Sequence, residues 1–205
     1  MQQKYKIFFR RHQFVFGNET DFVNPANVVV NVLTKALIKG LLEYLKKEKE
    51  PQMVLITETG GFVRFCELLK MVYAAGGAVF NTKGQLLLIR RNDLWDLPKG
   101  KLNKLEPASV GALREVEEEC NVFDIKLEKK LDTTFHVYFE KKWLVKQTDW
   151  YKMTSANWQN AKPQLEEDIQ EIKWVDPDNL DIAELDTYQS IRQVLNQLLH
   201  QQVDI

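Results

Sequence analysis

Apolar and polar positions along the chain fall into short strand-like runs interrupted by a few longer helix-like ones. Tyr5–Phe9 and Gln13–Phe16 are apolar stretches parted by Arg10-Arg11-His12, the pattern of two short strands joined by a polar turn. Asn24-Pro25 is a helix start signal and predicts a helix from about Ala26 to Lys49. Lys46, Lys47 and Lys49 suit the negative end of that helix, and Pro51 stops it. Gln52–Thr57 then predicts a strand, Gly60-Gly61 a turn, and Phe62–Leu69 a short helix or strand.

A second unit begins near Lys70. Met71–Phe80 and Gln85–Arg90 read as strands around the hairpin signal Asn81-Thr82-Lys83-Gly84. Leu94–Glu106 predicts a loop, and Pro107–Cys120 a helix with Pro107 at its first position. Leu131–Glu140 and Trp143–Thr154 alternate like antiparallel strands around Lys141-Lys142. Glu171–Val175 predicts a strand, followed by a closing helix from about Asp186 to Gln201. Strands and helices mixed around one sheet place the chain in the α/β (α+β) class. The expected organisation is a small α/β N-terminal unit over residues 1–69 and a larger unit over 70–205.

With 205 residues, 44% of them hydrophobic and 28% charged, the chain has ordinary globular composition and room for a sizeable core. A net charge of -1 provides no field to attract nucleic acid or an anionic membrane, so neither partner is expected. No apolar run approaches the roughly 20 residues that span a bilayer. Arg10, Arg11 and His12 also break the first apolar stretch too early for a secretion signal. Cys66 and Cys120 lie far apart, without metal-ligand spacing, and fit reduced thiols in a cytoplasmic protein. His12, His136 and His200 are scattered and support neither a histidine relay nor a zinc site.

The chemistry gathers on the helix Pro107–Cys120. At helical spacing, Val110, Leu113, Val116 and Cys120 share one face, while Glu115, Glu118 and Glu119 cluster roughly opposite, with Arg114 at the edge. Like charges at this spacing cost about 0.2–0.5 kcal/mol per pair, and the helix C-terminus disfavours anions further. A hard divalent cation such as Mg²⁺ takes oxygen ligands from one or two carboxylates, water and phosphate, and would hold such a cluster. A run of acids is more often a solvated face. Spacing decides between the two readings.

Gly100, Glu106, Arg114, Glu115, Val116, Glu118, Glu119 and Val122 stand in register with the Nudix box, Gly-x5-Glu-x7-Arg-Glu-aliphatic-x-Glu-Glu-x-Gly-aliphatic, and the stretch resembles that family. The six non-aliphatic matches have a chance of about one in ten million per starting position. Asn121 replaces the second Gly; it is the best non-glycine choice for a left-handed helix end.

The resemblance implies a Nudix-like mixed-sheet α/β/α sandwich following the small N-terminal unit. It also implies a Mg²⁺-dependent hydrolase (Mn²⁺ as an alternative) that cleaves a pyrophosphate bond in a nucleoside diphosphate linked to another moiety. By similarity, Glu115 and Glu119 are metal ligands, joined by a backbone carbonyl of Lys99 or Gly100. Glu118 is a ligand or helps deprotonate the attacking water, Arg114 orients a box carboxylate, and Glu106 braces the loop. Glu166, Glu167, Asp168 and Glu171 resemble an acidic stretch from which some members draw a further carboxylate. Trp95-Asp-Leu-Pro-Lys-Gly100 resembles branches that cleave dinucleoside polyphosphates and diphosphoinositol polyphosphates. Lys99 and Lys101 would then set cations beside a small phosphoanhydride substrate, and Tyr138 would stack on a base. Residues before 70 fall outside the box-bearing domain; completing a pocket, forming a homodimer and capping the sheet are the roles open to them. A non-catalytic nucleotide sensor on the same fold is the alternative, against which the intact acids argue.

Overall fold

The structure is a computed structural model that describes residues 5–22 and 24–200. In chain order the strands and helices are β1 (Lys6–Phe9), β2 (His12–Phe16), β3 (Val28–Val30), α1 (Lys35–Leu45), β4 (Met53–Ile56) and α2 (Gly61–Leu68). Then come β5 (Lys70–Asn81), β6 (Leu86–Arg91), β7 (Leu94–Asp96), β8 (Lys99–Lys101) and α3 (Ala108–Cys120). β9 (Phe123–Glu140), β10 (Lys142–Asn157), β11 (Ile169–Val175) and α4 (Gln189–His200) complete the chain. Two compact units result: Met1–Val72 with Phe135–Gln147, and Tyr73–Thr134 with Thr148–Ile205. Among the described residues, no helix is long and apolar enough to cross a membrane.

In the first unit, β1 and β2 form an antiparallel hairpin, and β1 also pairs in parallel with the Phe135–His136 part of β9. β4 lies parallel to both β2 and β3. Ile7, Phe14, Ile38, Leu42, Leu45, Val54, Ile56 and Phe65 are fully buried together between sheet and helices. The long helix expected over Ala26–Lys49 is instead β3 followed by the shorter α1. Val28-Val29-Val30 is a β-branched run that loses side-chain freedom in a helix and fits a pleated edge. Thr34 then starts α1, its hydroxyl accepting the Leu37 N–H at 3.1 Å. Helix α1 ends at Leu45, so Lys47 and Lys49 lie beyond it.

In the second unit, strands run in the order β11-β6-β5-β10-β9, with β7 on β6 and β8 on β5. Side chains alternate across the sheet and build two cores. Ala75, Val79, Leu87 and Ile89 pack against Ala112, Val116 and Cys120 of α3. Ala78, Phe80, Leu86 and Leu88 pack on the other face against Ile191, Val194, Leu195 and Leu198 of α4. This is the expected α/β/α sandwich. The Asn81–Gly84 turn forms as predicted: the Asn81 side-chain oxygen accepts the Lys83 and Gln85 N–H groups, and Gly84 takes φ +77°.

Three boundaries differ from expectation. The loop Leu94–Glu106 contains β7 and β8, and β9 begins at Phe123 rather than Leu131. Helix α4 starts at Gln189, because Asp186 and Thr187 are tied to β7: the Asp186 carbonyl accepts the Trp95 N–H at 2.9 Å, and the Thr187 hydroxyl donates to the Trp95 carbonyl at 2.6 Å. Gln201, the expected end of that helix, lies outside the described residues.

His12 is 1% exposed; its Nδ1 accepts the Gln52 N–H at 3.1 Å. Burial lowers its pKa below the ordinary 6.5, outweighing a hydrogen bond to the Leu45 backbone that acts in the opposite direction. The unfolded chain therefore takes up this proton first as pH falls. The His12 contribution to stability is present above about pH 6.5 and is lost as pH falls through the folded-state value. Thermal melts between pH 7.5 and 5 should show a decline that is shallower in His12→Gln, and equal slopes in the two proteins would contradict this.

Candidate active site

Helix α3 is delimited at both ends by local chemistry. Pro107 takes an extended backbone (φ −61°, ψ 140°) and caps the helix from one position before its first residue, rather than occupying the first turn. Its carbonyl accepts the Val110 and Gly111 N–H groups at 3.0 Å. At the other end Asn121 is left-handed (φ 52°, ψ 40°), as expected, and its side-chain amide donates to the Asn160 carbonyl at 2.9 Å.

The buried residues of α3 are Gly111, Ala112, Glu115, Val116, Glu119 and Cys120. With about 100° between successive residues, this arc centres near Ala112 and Glu119. Val110 stands opposite and is 52% exposed, so the apolar face is rotated from the one expected. The reason is that two carboxylates occupy part of the buried arc.

Glu115 lies against β8. A Cβ on Gly100 would sit 1.8 Å from Glu115 Oε2, so only glycine leaves room for this carboxylate. Register places Ala75 opposite Gly100 and Gly76 opposite Lys99, and a Cβ on Gly76 would lie 2.3 Å from the Pro98 carbonyl oxygen. Two glycines thus let β5, β8 and the Glu115 side chain approach closely.

Arg114 gathers the remaining box acids. Its Nε and Nη2 grip Glu106 at 2.8 and 2.9 Å, and its Nη1 donates at 2.8 Å to both Glu115 and Glu118. Nη2 also reaches the Lys101 carbonyl at 3.2 Å. Glu106 additionally accepts the Asn103 N–H at 2.8 Å, and these bonds, Arg114 first, hold its carboxyl down at about 2. Glu118 is half exposed. Leu105, between these anchors, is 93% exposed with φ +65°.

Glu119 is 2% exposed. Its Oε2 accepts the Lys99 N–H at 2.8 Å, and Oε1 lies 3.4 Å from Arg91 Nη1. Burial pushes its carboxyl up to about 7 despite the neighbouring Lys99 and Arg91 charges. Burial likewise raises Glu115 against the pull of Arg114. Lys99 turns inward, with Nζ 2.6 Å from Oδ2 of Asp96, which is itself 2% exposed. Burial works against the Lys99 charge, but Asp96 and Glu119 outweigh it and raise the Lys99 pKa.

The segment after β10 closes on the same helix end. Lys162 N–H donates to the Cys120 carbonyl at 2.9 Å, and Gln164 N–H to the Glu119 carbonyl at 3.1 Å. Arg91 Nη2 then lies 3.3 Å from Glu167 Oε2, and the Glu167 charge raises the Glu115 pKa. All four late acids named from sequence, Glu166, Glu167, Asp168 and Glu171, are exposed, and Glu167 is the one beside Arg91. Lys101 is exposed on β8. Tyr138 belongs to the first unit, half-buried on β9 with Lys146 Nζ 5.0 Å above its ring. Sequence reasoning missed Arg91 and Asp96; their one signal is position, as charges at the ends of apolar strands that lead into the loop.

Among the described residues, no three His, Cys, Asp or Glu side chains converge closely enough to enclose an ion alone. Glu115 and Glu119, one helical turn apart and buried at a cost that Arg114, Arg91 and Lys99 only partly offset, are the pair suited to a hard cation. Such an ion would take its other ligands from backbone, water and phosphate.

The NUDIX domain profile matches residues 70–198. The fold is similar to the MutT protein of Methanosarcina mazei Go1: TM-score 0.52, 19% identity, covering 66% of this chain and 98% of that one. A C. elegans Ap4A hydrolase complex gives TM-score 0.51 and 20% identity over 65% of this chain and 99% of that one. The E. coli dihydroneopterin triphosphate pyrophosphohydrolase gives TM-score 0.51 and 18% identity over 63% and 95%.

Gly100→Ala should lower stability by about 2 kcal/mol, because the Glu115 carboxylate must move. Leu105→Gly should raise it by about 1 kcal/mol, since a left-handed leucine without packing is strained. Urea denaturation measures both, and the opposite sign for either variant would refute its explanation.

Proposed function

Because this chain belongs to the NUDIX domain family as a Nudix-type pyrophosphohydrolase, we propose that it cleaves, with Mg²⁺, a pyrophosphate bond in a nucleoside diphosphate linked to a second moiety. The observation that carries this reading is the pair of buried carboxylates on one side of α3, Glu115 in the space that Gly100 leaves and Glu119 on the Lys99 N–H. These two side chains would hold Mg²⁺, or Mn²⁺ in its place, with a backbone carbonyl of Lys99 or Gly100. A bound divalent ion lowers the pKa of water, screens phosphate charge and stabilises the leaving phosphate.

The protein's own groups supply placement and proton handling. Arg114 holds Glu106, Glu115 and Glu118 through one guanidinium and so fixes the direction of each. Glu118, half exposed and held by Arg114, would accept a proton from the attacking water. Glu106 braces the loop through Asn103. Of the late carboxylates, Glu167, beside Arg91, would be the one to assist. Lys101, exposed on β8, would face the phosphate chain of the substrate.

Among substrates, a dinucleoside polyphosphate comes first. The sequence Trp95-Asp-Leu-Pro-Lys-Gly100 supports it. A Mg²⁺-dependent hydrolysis screen over diadenosine polyphosphates, nucleotide sugars, ADP-ribose, NADH and nucleoside triphosphates, with products identified by mass, tests the reading. Split products that need the metal are expected. Glu119→Gln should lower turnover well over tenfold, about 1.4 kcal/mol or more, with an unchanged circular dichroism spectrum. Near-normal turnover in that variant would remove Glu119 from the reaction.

A further inference from the structure

We infer that Lys99 is a positioning residue: its ammonium, locked to Asp96, fixes the Leu97-Pro98 turn so that β8 presents its backbone to Glu119 and its glycine to Glu115. This rests on the proposed function of the same site, and gives Lys99 a different task from that of a cation facing substrate phosphate. The first support is the direction of the side chain. Lys99 Nζ is 2.6 Å from Asp96 Oδ2, and the Lys99 and Asp96 side chains are 12% and 2% exposed.

The second support is what each partner also holds. The other Asp96 oxygen accepts the Leu97 N–H at 2.8 Å, so this carboxylate ties down the start of the turn. The Lys99 N–H donates to Glu119 Oε2 at 2.8 Å. Next to it, Gly100 makes the space in which the Glu115 carboxylate lies. The Pro98 carbonyl between them accepts the Gly77 N–H at 3.0 Å, fastening the turn to β5. One ion pair therefore spans the three-residue step from β7 to β8, and the backbone it fixes holds Glu119 by a hydrogen bond and leaves the space for Glu115.

A buried ion pair has a property that separates positioning from direct binding. Removing one partner leaves the other charge buried and unpaired, which is strongly disruptive, whereas removing both charges while keeping the volume is often tolerated. Lys99→Met keeps the length of the side chain, and Asp96→Asn keeps an acceptor for the Leu97 N–H. If Lys99 positions, the two single variants are damaged and the double variant recovers. A phosphate-binding lysine gives no such recovery.

The experiment uses the full chain and Mn²⁺ alone, with binding followed by water-proton relaxation below the melting temperature of every variant. Wild type is expected to bind. Lys99→Met and Asp96→Asn should each weaken Mn²⁺ binding about tenfold or more, as changes behind metal ligands do, and the double variant should return to within about threefold of wild type. In parallel kinetics on whichever phosphoanhydride the wild type cleaves, the single variants should lose kcat with KM little changed. Equal Mn²⁺ affinity in all four proteins would overturn the inference. So would a raised KM in Lys99→Met that persists in the double variant. Failure of wild type to bind Mn²⁺ would instead overturn the proposed function on which the inference stands.

Discussion

The burial of the Glu115 and Glu119 carboxylates is the constraint on which the site depends. Taking a carboxylate out of water costs several kcal/mol unless opposite charge or donated hydrogen bonds replace the lost solvent. Here the replacement is partial: one arm of Arg114 for Glu115, and for Glu119 a backbone N–H, a long contact with Arg91 and the charge of Lys99. Both carboxyls are left less acidic than an exposed one. The buried arc of α3 thus carries two under-compensated carboxylates one helical turn apart.

The rest of the second unit is arranged to make that burial possible. Val116 and Cys120 anchor α3 on one face of the sheet, while α4 covers the other, and this packing turns the Glu115 and Glu119 side of the helix inward. Gly100 and Gly76 remove the atoms that would keep β8, β5 and the Glu115 side chain apart. Arg114 then converts the outer acids from a repelling cluster into a network around one guanidinium. The segment following β10 binds the last carbonyls of α3 and carries Glu167 alongside Arg91.

Much of this was legible in the residues. The box spacing located every acid that the structure gathers on α3, and Asn121 takes the left-handed conformation its side chain tolerates. The hairpin at Asn81–Gly84 followed from turn chemistry alone. What failed were properties set by tertiary contact. Asn24-Pro25 looked like a helix start, yet a valine run beside a waiting strand edge prefers pairing, and β3 forms instead. Periodicity put Val110 on the inner face of α3, because an apolar count cannot recognise buried glutamates as part of the core. The Lys99–Asp96 pair went unseen, since two charges three residues apart meet only when the step from β7 to β8 turns the lysine inward.

A manganese anomalous difference map from crystals grown with millimolar Mn²⁺ tests the central claim most directly. A peak within about 2.5 Å of carboxylate oxygens from both Glu115 and Glu119, with a backbone carbonyl of Lys99 or Gly100 among its neighbours, is the predicted result. A map without density there, with Glu115 still on Arg114 and Glu119 still on the Lys99 amide, would contradict it.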